Sequence, residues 1–240
     1  MRNFANTLSN EYDARVVPAM ATVKTPSRTR RYSSARREES ALQTRRAITA
    51  AAADRFVRDG YAATSLAAIA RDARCARPTV FAVFGSKFAL MKQVLDEALA
   101  GDDEPGPVSQ RSWFQPVWSA RTPEEVCAAY AQVCVQIGRR SAPVFEVVRR
   151  AVDADPEARL LWQELLDNRR AGAQMVVERI AALSGRRRGR HLDRTVDRVW
   201  LLNDPAHYAD LVTMCGWSER DFGAWLADEL VAAVASVTRS

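Results

Sequence analysis

Apolar positions recur with a helical period along most of the chain. Between Arg45 and Asp59, Ile48, Ala52 and Phe56 share one face, and Gly60 stops the segment. After Thr64 comes a second stripe: Leu66, Ile69, Ala70 and Ala73 stand at i, i+3, i+4 and i+7, with Arg71, Asp72 and Arg74 off it. Thr64 is placed to cap that helix, its hydroxyl accepting an orphan backbone N–H. Pro78 marks the start of a third, short helix, because a first turn needs no donor from it. Residues 74–76 are left for a tight turn. In the short helix Val80 and Phe84 point inward, and Thr79, Phe81 and Ala82 outward. Gly85 ends it, and Ser86 caps a further helix reaching Ala100, with Leu90, Val94, Leu95 and Leu99 on its apolar side. Three short helices around one apolar centre, with a tight turn between the last two, make a helix-turn-helix unit that can set one helix in a DNA major groove.

Residues 101–107 form a loop rich in Gly, Asp and Pro, and 108–121 carry Trp113, Phe114 and Trp118 without a clear period. Thr122-Pro123-Glu124-Glu125 combines an N-cap, a first-turn proline and a capping-box Glu. Val126, Tyr130, Val133 and Ile137 give its buried stripe. Ser141-Ala142-Pro143 is expected to begin a separate segment with Val144, Phe145 and Val148 inside. Asp155-Pro156-Glu157 starts a long helix to about Leu183, with Leu160, Leu161, Leu165, Met175, Val176 and Ile180 as its core residues. The basic run from Ser184 to Arg190 reads as a solvated loop between helices. Asp204-Pro205 starts another helix, and Ser218 caps a final one with Phe222, Trp225, Leu226, Leu230 and Val234 at helical spacing. No strand pattern of any length occurs, so the fold class is all-α. Three parts are expected: a disordered basic tail over 1–44, a helix-turn-helix DNA-binding domain over 45–90, and a helical regulatory and dimerisation domain over 91–240.

Charge sharpens this division. The net charge is +6, but residues 45–90 carry +5, residues 1–44 carry +4, and the remainder is at −3. A basic head on a mildly acidic body is the electrostatic footprint of a protein that holds DNA at one end. Arg28–Arg31 with Arg36 and Arg37 could follow a phosphate backbone or enter a minor groove, unless the tail is a plain flexible extension or translation starts at Met20.

Other chemistries find little support. Cys75, Cys127, Cys134 and Cys215 form no CxxC and no metal-ligand spacing, which fits reduced thiols in a cytoplasmic protein with no metal and no cofactor. No apolar run approaches the ~18 residues of a membrane span, and no secretory h-region stands at the N-terminus. His191 and His207 lack a recognisable Ser, Cys or carboxylate partner, and there is no phosphate-binding glycine loop, so an enzyme is not expected.

The ordered series Phe56, Gly60-Tyr61, Thr64-Ser65, Ile69-Ala70, Ala73, Thr79-Val80, Phe84-Gly85-Ser86-Lys87 and Ala89-Leu90 closely resembles the N-terminal signature of the TetR family of transcriptional regulators. The resemblance covers roughly residues 45–95 and fades beyond them. It implies a DNA-binding surface made of Thr64, Ser65, Arg74, Arg77, Pro78, Thr79, Phe81, Ala82 and Lys87, with Thr64, Ser65 and Lys87 at phosphate-contacting positions. Three residues depart from the family pattern. Arg74 stands where a turn glycine is usual, at a position that often needs left-handed backbone. Phe81 replaces a tyrosine and loses a hydroxyl that could bond a phosphate, and Ala82 replaces a larger polar residue. Base readout then falls more to Arg77 and Thr79, or to DNA shape.

The resemblance further implies a homodimer built on the last two helices, about 191–214 and 218–236, and a double-stranded DNA operator of near-palindromic sequence. It implies a repressor released by a small-molecule ligand, with an activator as an alternative. Trp113, Trp118, Tyr130, Cys134, Phe145, Trp162 and Met175 are the candidate pocket, and their apolar character suggests an apolar or aromatic effector. A thiol-based redox sensor acting through Cys75 in the turn is the alternative.

Overall fold

The computed structural model describes residues 28–153, 155–186 and 192–238, with side chains from residue 36 onward. Every regular element among them is helical. They are α1 (Arg28–Asp59), α2 (Leu66–Asp72), α3 (Arg77–Phe84), α4 (Lys87–Ala100), α5 (Gln115–Ser119), α6 (Pro123–Ala151), α7 (Pro156–Leu183), α8 (Asp193–Leu202), α9 (Pro205–Tyr208) and α10 (Glu219–Thr238). Short 3-10 turns precede α5, and α9 continues as π-helical turns through Ala209–Met214.

The first helix is longer than expected. Residues 28–44, read as part of a disordered tail, are helical, while residues 1–27 lie outside the described residues. Residues 33–43 are dominated by Ala, Arg, Glu, Leu, Gln and Ser, mostly strong helix formers. Positions 36–43 are all exposed, so the apolar period that marks a packed helix is absent there. Propensity was the usable signal and periodicity was not. The basic run ending at Arg190 also lies mostly outside the described residues, as does His191.

Contacts divide the chain into Met1–Ser40 and a second compact unit, Ala41–Ser240. Within the second unit the expected boundary at 90/91 is not a packing boundary. One core joins Ile48, Ala52 and Phe56 of α1, Ile69 and Ala70 of α2, Val80 of α3 and Leu90, Met91, Val94 and Leu95 of α4. The same core takes in Val144, Phe145 and Val148 of α6 and Leu161 and Leu165 of α7. The second core is the body's own, centred on Phe114, Val126, Tyr130, Val133, Ile180, Val199, Phe222, Leu226 and Leu230.

Helix ends follow the local chemistry. Gly60 stops α1 with φ 81°. Thr122 accepts the N–H of Glu125, while the Glu125 carboxylate accepts the N–H of Arg121. Asp155 accepts from Glu157 and Ala158 at the start of α7, and Ser218 accepts from Asp221 at the start of α10. Pro143 is different: α6 runs through it without a break. Its ring is exposed, while Ser141, Ala142, Val144 and Phe145 around it are buried and hold the helix together. Two expected core residues of α7 also face out. Leu160 is 72% exposed and Met175 is 37% exposed. Adjacent residues on a helix diverge by about 100°, so Leu161 and Val176 take the inward positions and their neighbours do not.

Candidate nucleic-acid interface

The turn and the helix after it are built as expected in outline. Residues 73–76 join α2 to α3, and Cys75 N–H bonds the Ala70 carbonyl. Arg74 has φ 55°, the one non-glycine residue with positive φ among those described. Its conformation costs on the order of 1 kcal/mol against glycine. Arg74→Gly is therefore expected to raise stability by about 1 kcal/mol, read as a higher melting temperature; an unchanged or lower value would refute the strain.

Capping of α2 differs by one residue from the expectation. Ser65, not Thr64, is the N-cap, and its hydroxyl accepts the N–H of Ala68 at 3.2 Å. Thr64 is 2% exposed and donates its hydroxyl to the Gly60 carbonyl at 2.7 Å. Burial of the Thr64 side chain turns it back onto the end of α1. Ser65 is exposed and leaves the N-terminus of α2 open.

Lys87 is also more constrained than a point charge for phosphate. Its ammonium donates to the Tyr61 carbonyl at 2.8 Å and the Thr64 carbonyl at 3.1 Å, and lies 4.2 Å from the Tyr61 ring centroid. Two of its three donors thus lock the loop that leads into α2. Burial pushes its pKa below the ordinary lysine value, with Asp155 acting against that.

Val80 of α3 is fully buried, and Phe84 is half-buried with the Arg45 guanidinium 4.7 Å from its ring. Arg77, Pro78, Phe81 and Ala82 are exposed, Phe81 to 62%, and Thr79 is half-buried. Charges in the head sort into two groups. Arg55 pairs with Asp72 and Asp59, Arg58 with Asp59, and Arg46 with Asp103; Arg45 donates to Gln93. The Arg55 guanidinium holds the Asp72 carboxyl below the usual carboxylate range. Arg71, Arg74 and Arg77 are exposed and form no ion pair within 4 Å among the described residues. Uncompensated positive charge thus concentrates on the turn and the start of α3, beside the exposed Ser65.

The seven residues of the candidate pocket are not brought together. Phe114, absent from that set, gathers Trp118 at 5.3 Å, Trp113 at 6.2 Å and Tyr130 at 6.4 Å between ring centroids. The indole N–H groups of Trp113 and Trp118 donate to the Ala100 and Ser109 carbonyls. Phe145 and Trp162 meet at a tilt with centroids 4.8 Å apart in the other core, and Met175 faces outward. One crevice, lined by Tyr61, Phe88, Met91, Val148, Ala151, Ala158 and Leu161, holds about 10 Å³ and includes none of the seven. All four cysteines are free thiols. Cys75 is half-buried against the head's core, and burial pushes the Cys127 and Cys134 thiols up to about 12. Among the described residues no group of His, Cys, Asp and Glu could hold a metal ion, and no helix is long and apolar enough to cross a membrane.

Sequence reasoning missed Arg140 and Arg169, which reach between helices in the body. Neither lies on an apolar stripe, and nothing in the chain distinguishes them from solvated arginines.

No curated protein matches the chain. A family model described as bacterial regulatory proteins, tetR family, matches residues 48–94. That span begins at Ile48 in the core of α1, contains α2, the turn and α3, and ends at Val94 of α4. Residues 48–94 thus form a helix-turn-helix DNA-binding domain of the type found in the tetR family of bacterial regulatory proteins.

Proposed function

We propose that the chain is a homodimeric repressor that lays α3 in the major groove of a near-palindromic operator and is released by a small apolar or aromatic molecule bound in its body. The observation that carries the DNA-facing part is the clustering of exposed Arg71, Arg74 and Arg77 around the turn while the other arginines of the head are paired or hydrogen-bonded internally. Arg77 and Thr79 are the base-reading candidates, Phe81, Pro78 and Ala82 supply apolar contact, and the open start of α2 at Ser65 suits a phosphate. Thr64 acts from behind that surface by fixing the loop. Lys87 adds positive charge beside that loop while its ammonium holds the Tyr61 and Thr64 carbonyls.

Pairing is supported by the outer side of α8 and α10. These helices run against each other through Thr195 with Ser236 and Arg198 with the Ala232 carbonyl. Leu201 is 62% exposed and Val231 38% exposed on them. A ligand can shift the protein off DNA only by the difference in its affinity for the two states.

The test is binding of the purified protein to the DNA upstream of its own gene, with salt and random competitor titrated, and to DNA selected from random sequence. A two-fold footprint and a steep fall of affinity with salt are expected. Weak binding indifferent to sequence in both formats would overturn the proposal.

A further inference from the structure

The C-terminal end of α4 is held by side chains of the body. Arg140, on α6, donates from Nε to the Ala98 carbonyl and from Nη2 to the Leu99 carbonyl, both at 3.1 Å. Trp113 donates its indole N–H to the Ala100 carbonyl at 3.2 Å. Three of the last carbonyls of α4, which have no partner within the helix, are thereby satisfied by two residues. The two are themselves stacked, the Arg140 guanidinium lying 4.8 Å from the Trp113 ring. A cation at a helix C-terminus also meets the negative end of its dipole. Gly101 completes the arrangement. It has φ 85°, and a Cβ there would stand 2.5 Å from Arg140 Nη1, so the guanidinium occupies the space a side chain would take.

The other end of α4 is joined to the recognition helix with almost no slack. Gly85 closes α3, Ser86 caps α4 by accepting the Ala89 N–H, and Leu90, Met91, Val94 and Leu95 sit in the head's core. An angular change of α4 therefore carries α3 with it. On α6, the residues next to Arg140 face the last helices. A Cβ on Gly138 would come within 2.6 Å of Tyr208, and Arg139 pairs with Glu219, which also accepts the Tyr208 hydroxyl. Three consecutive residues of α6 thus grip α9, α10 and α4.

We infer that Arg140, with Trp113 as its platform, is the positioning residue that sets the angle of α4 and so the separation of the two recognition helices. The inference rests on the dimeric reading above.

The experiment compares Arg140→Met, Arg140→Lys and Trp113→Phe with the wild type on three DNAs: the selected operator, versions lengthened or shortened by one base pair, and an isolated half-site. Arg140→Met is expected to bind the half-site within about twofold of wild type yet lose about tenfold on the best-spaced operator, the size of one charge-assisted hydrogen bond. Its preference among spacings flattens. Arg140→Lys, which keeps the charge but not the fork, and Trp113→Phe, which keeps the ring but not the N–H, fall between. Equal losses on half-site and operator would show a role in folding only and overturn the inference, as would an unchanged spacing profile. A wild type that binds half-site and operator equally would overturn it together with the dimeric reading, and would be seen before any variant is made.

Discussion

Arg169→Ala is expected to cost the protein about 3–5 kcal/mol of stability, the range for removing one partner of a buried ion pair. For a unit of this size that lowers the melting temperature on the order of 10 °C. The side chain is 11% exposed and its three guanidinium nitrogens are all committed. Nη1 meets Asp204 at 2.9 Å, Nη2 donates to the Trp200 carbonyl at 2.9 Å, and Nε donates to Asn203 Oδ1 at 3.2 Å. Asn203 in turn donates to the Tyr130 hydroxyl at 2.9 Å and to the Arg169 carbonyl at 3.2 Å. The cation also lies 5.7 Å from the Phe145 ring, in the core shared with the head, and 5.4 Å from the Trp200 ring, in the body's core.

Burial pushes the Arg169 pKa down, and Asp204 works against it. The charge is tolerated because each of its three nitrogens has a polar partner. Alanine removes the donors together and leaves two acceptors and a carboxylate behind. Asp204 is 29% exposed and can recover some water, which places the loss near the lower end of the range. Arg169→Lys restores one partner of three and should recover less than half. Thermal and denaturant unfolding check this; a loss below about 1 kcal/mol would mean that the network is solvated rather than structural.

How much of this was legible in the chain depends on the kind of interaction. Elements defined by local rules were readable. Pro156 to Leu183, the glycine stops at Gly60 and Gly85, and the caps at Ser86, Thr122, Asp155 and Ser218 all stand where the residues placed them. The positive φ of Arg74 followed from the family resemblance, which puts a turn glycine at that position. Where two residues compete for one role, local rules ran out. Thr64 and Ser65 can both cap, and only the packing of Thr64 onto the end of α1 decides for Ser65. Leu160 and Leu161 can both be core, and the helix admits one. Pro143 reads as a break, and the burial on either side overrides it. Long-range ties were invisible: Lys87 lies 26 residues from the Tyr61 carbonyl it binds, and Arg140 lies 42 residues from Ala98. The residues of the candidate pocket are divided between the two cores for a related reason. Aromatic composition says that rings will be buried, and not which core each will join.

Leu201→Glu is the second large effect. In one chain the substitution should change little, because Leu201 is 62% exposed on α8 and surface replacements usually stay within about 0.5 kcal/mol. In a two-fold assembly built on α8 and α10 the same change is made twice, on surfaces that face each other across the axis. Two carboxylates then lose water without gaining a partner, and the apolar packing of two leucines disappears with them. Dissociation to monomers at micromolar concentration is expected, measured by sedimentation. Operator affinity should fall about 100-fold, close to 2.7 kcal/mol, because the second head no longer binds as a tethered partner. Affinity for an isolated half-site should be unchanged, since α3 and its exposed arginines are untouched. Leu201→Ala gives the intermediate case, because it trims the leucine side chain without introducing a charge. A Leu201→Glu protein that remains dimeric and keeps its operator affinity would place the pairing surface elsewhere. The next faces to examine would then be those around Met214, at the end of the π-helical turns, and Trp217, just before α10, which are 78% and 39% exposed.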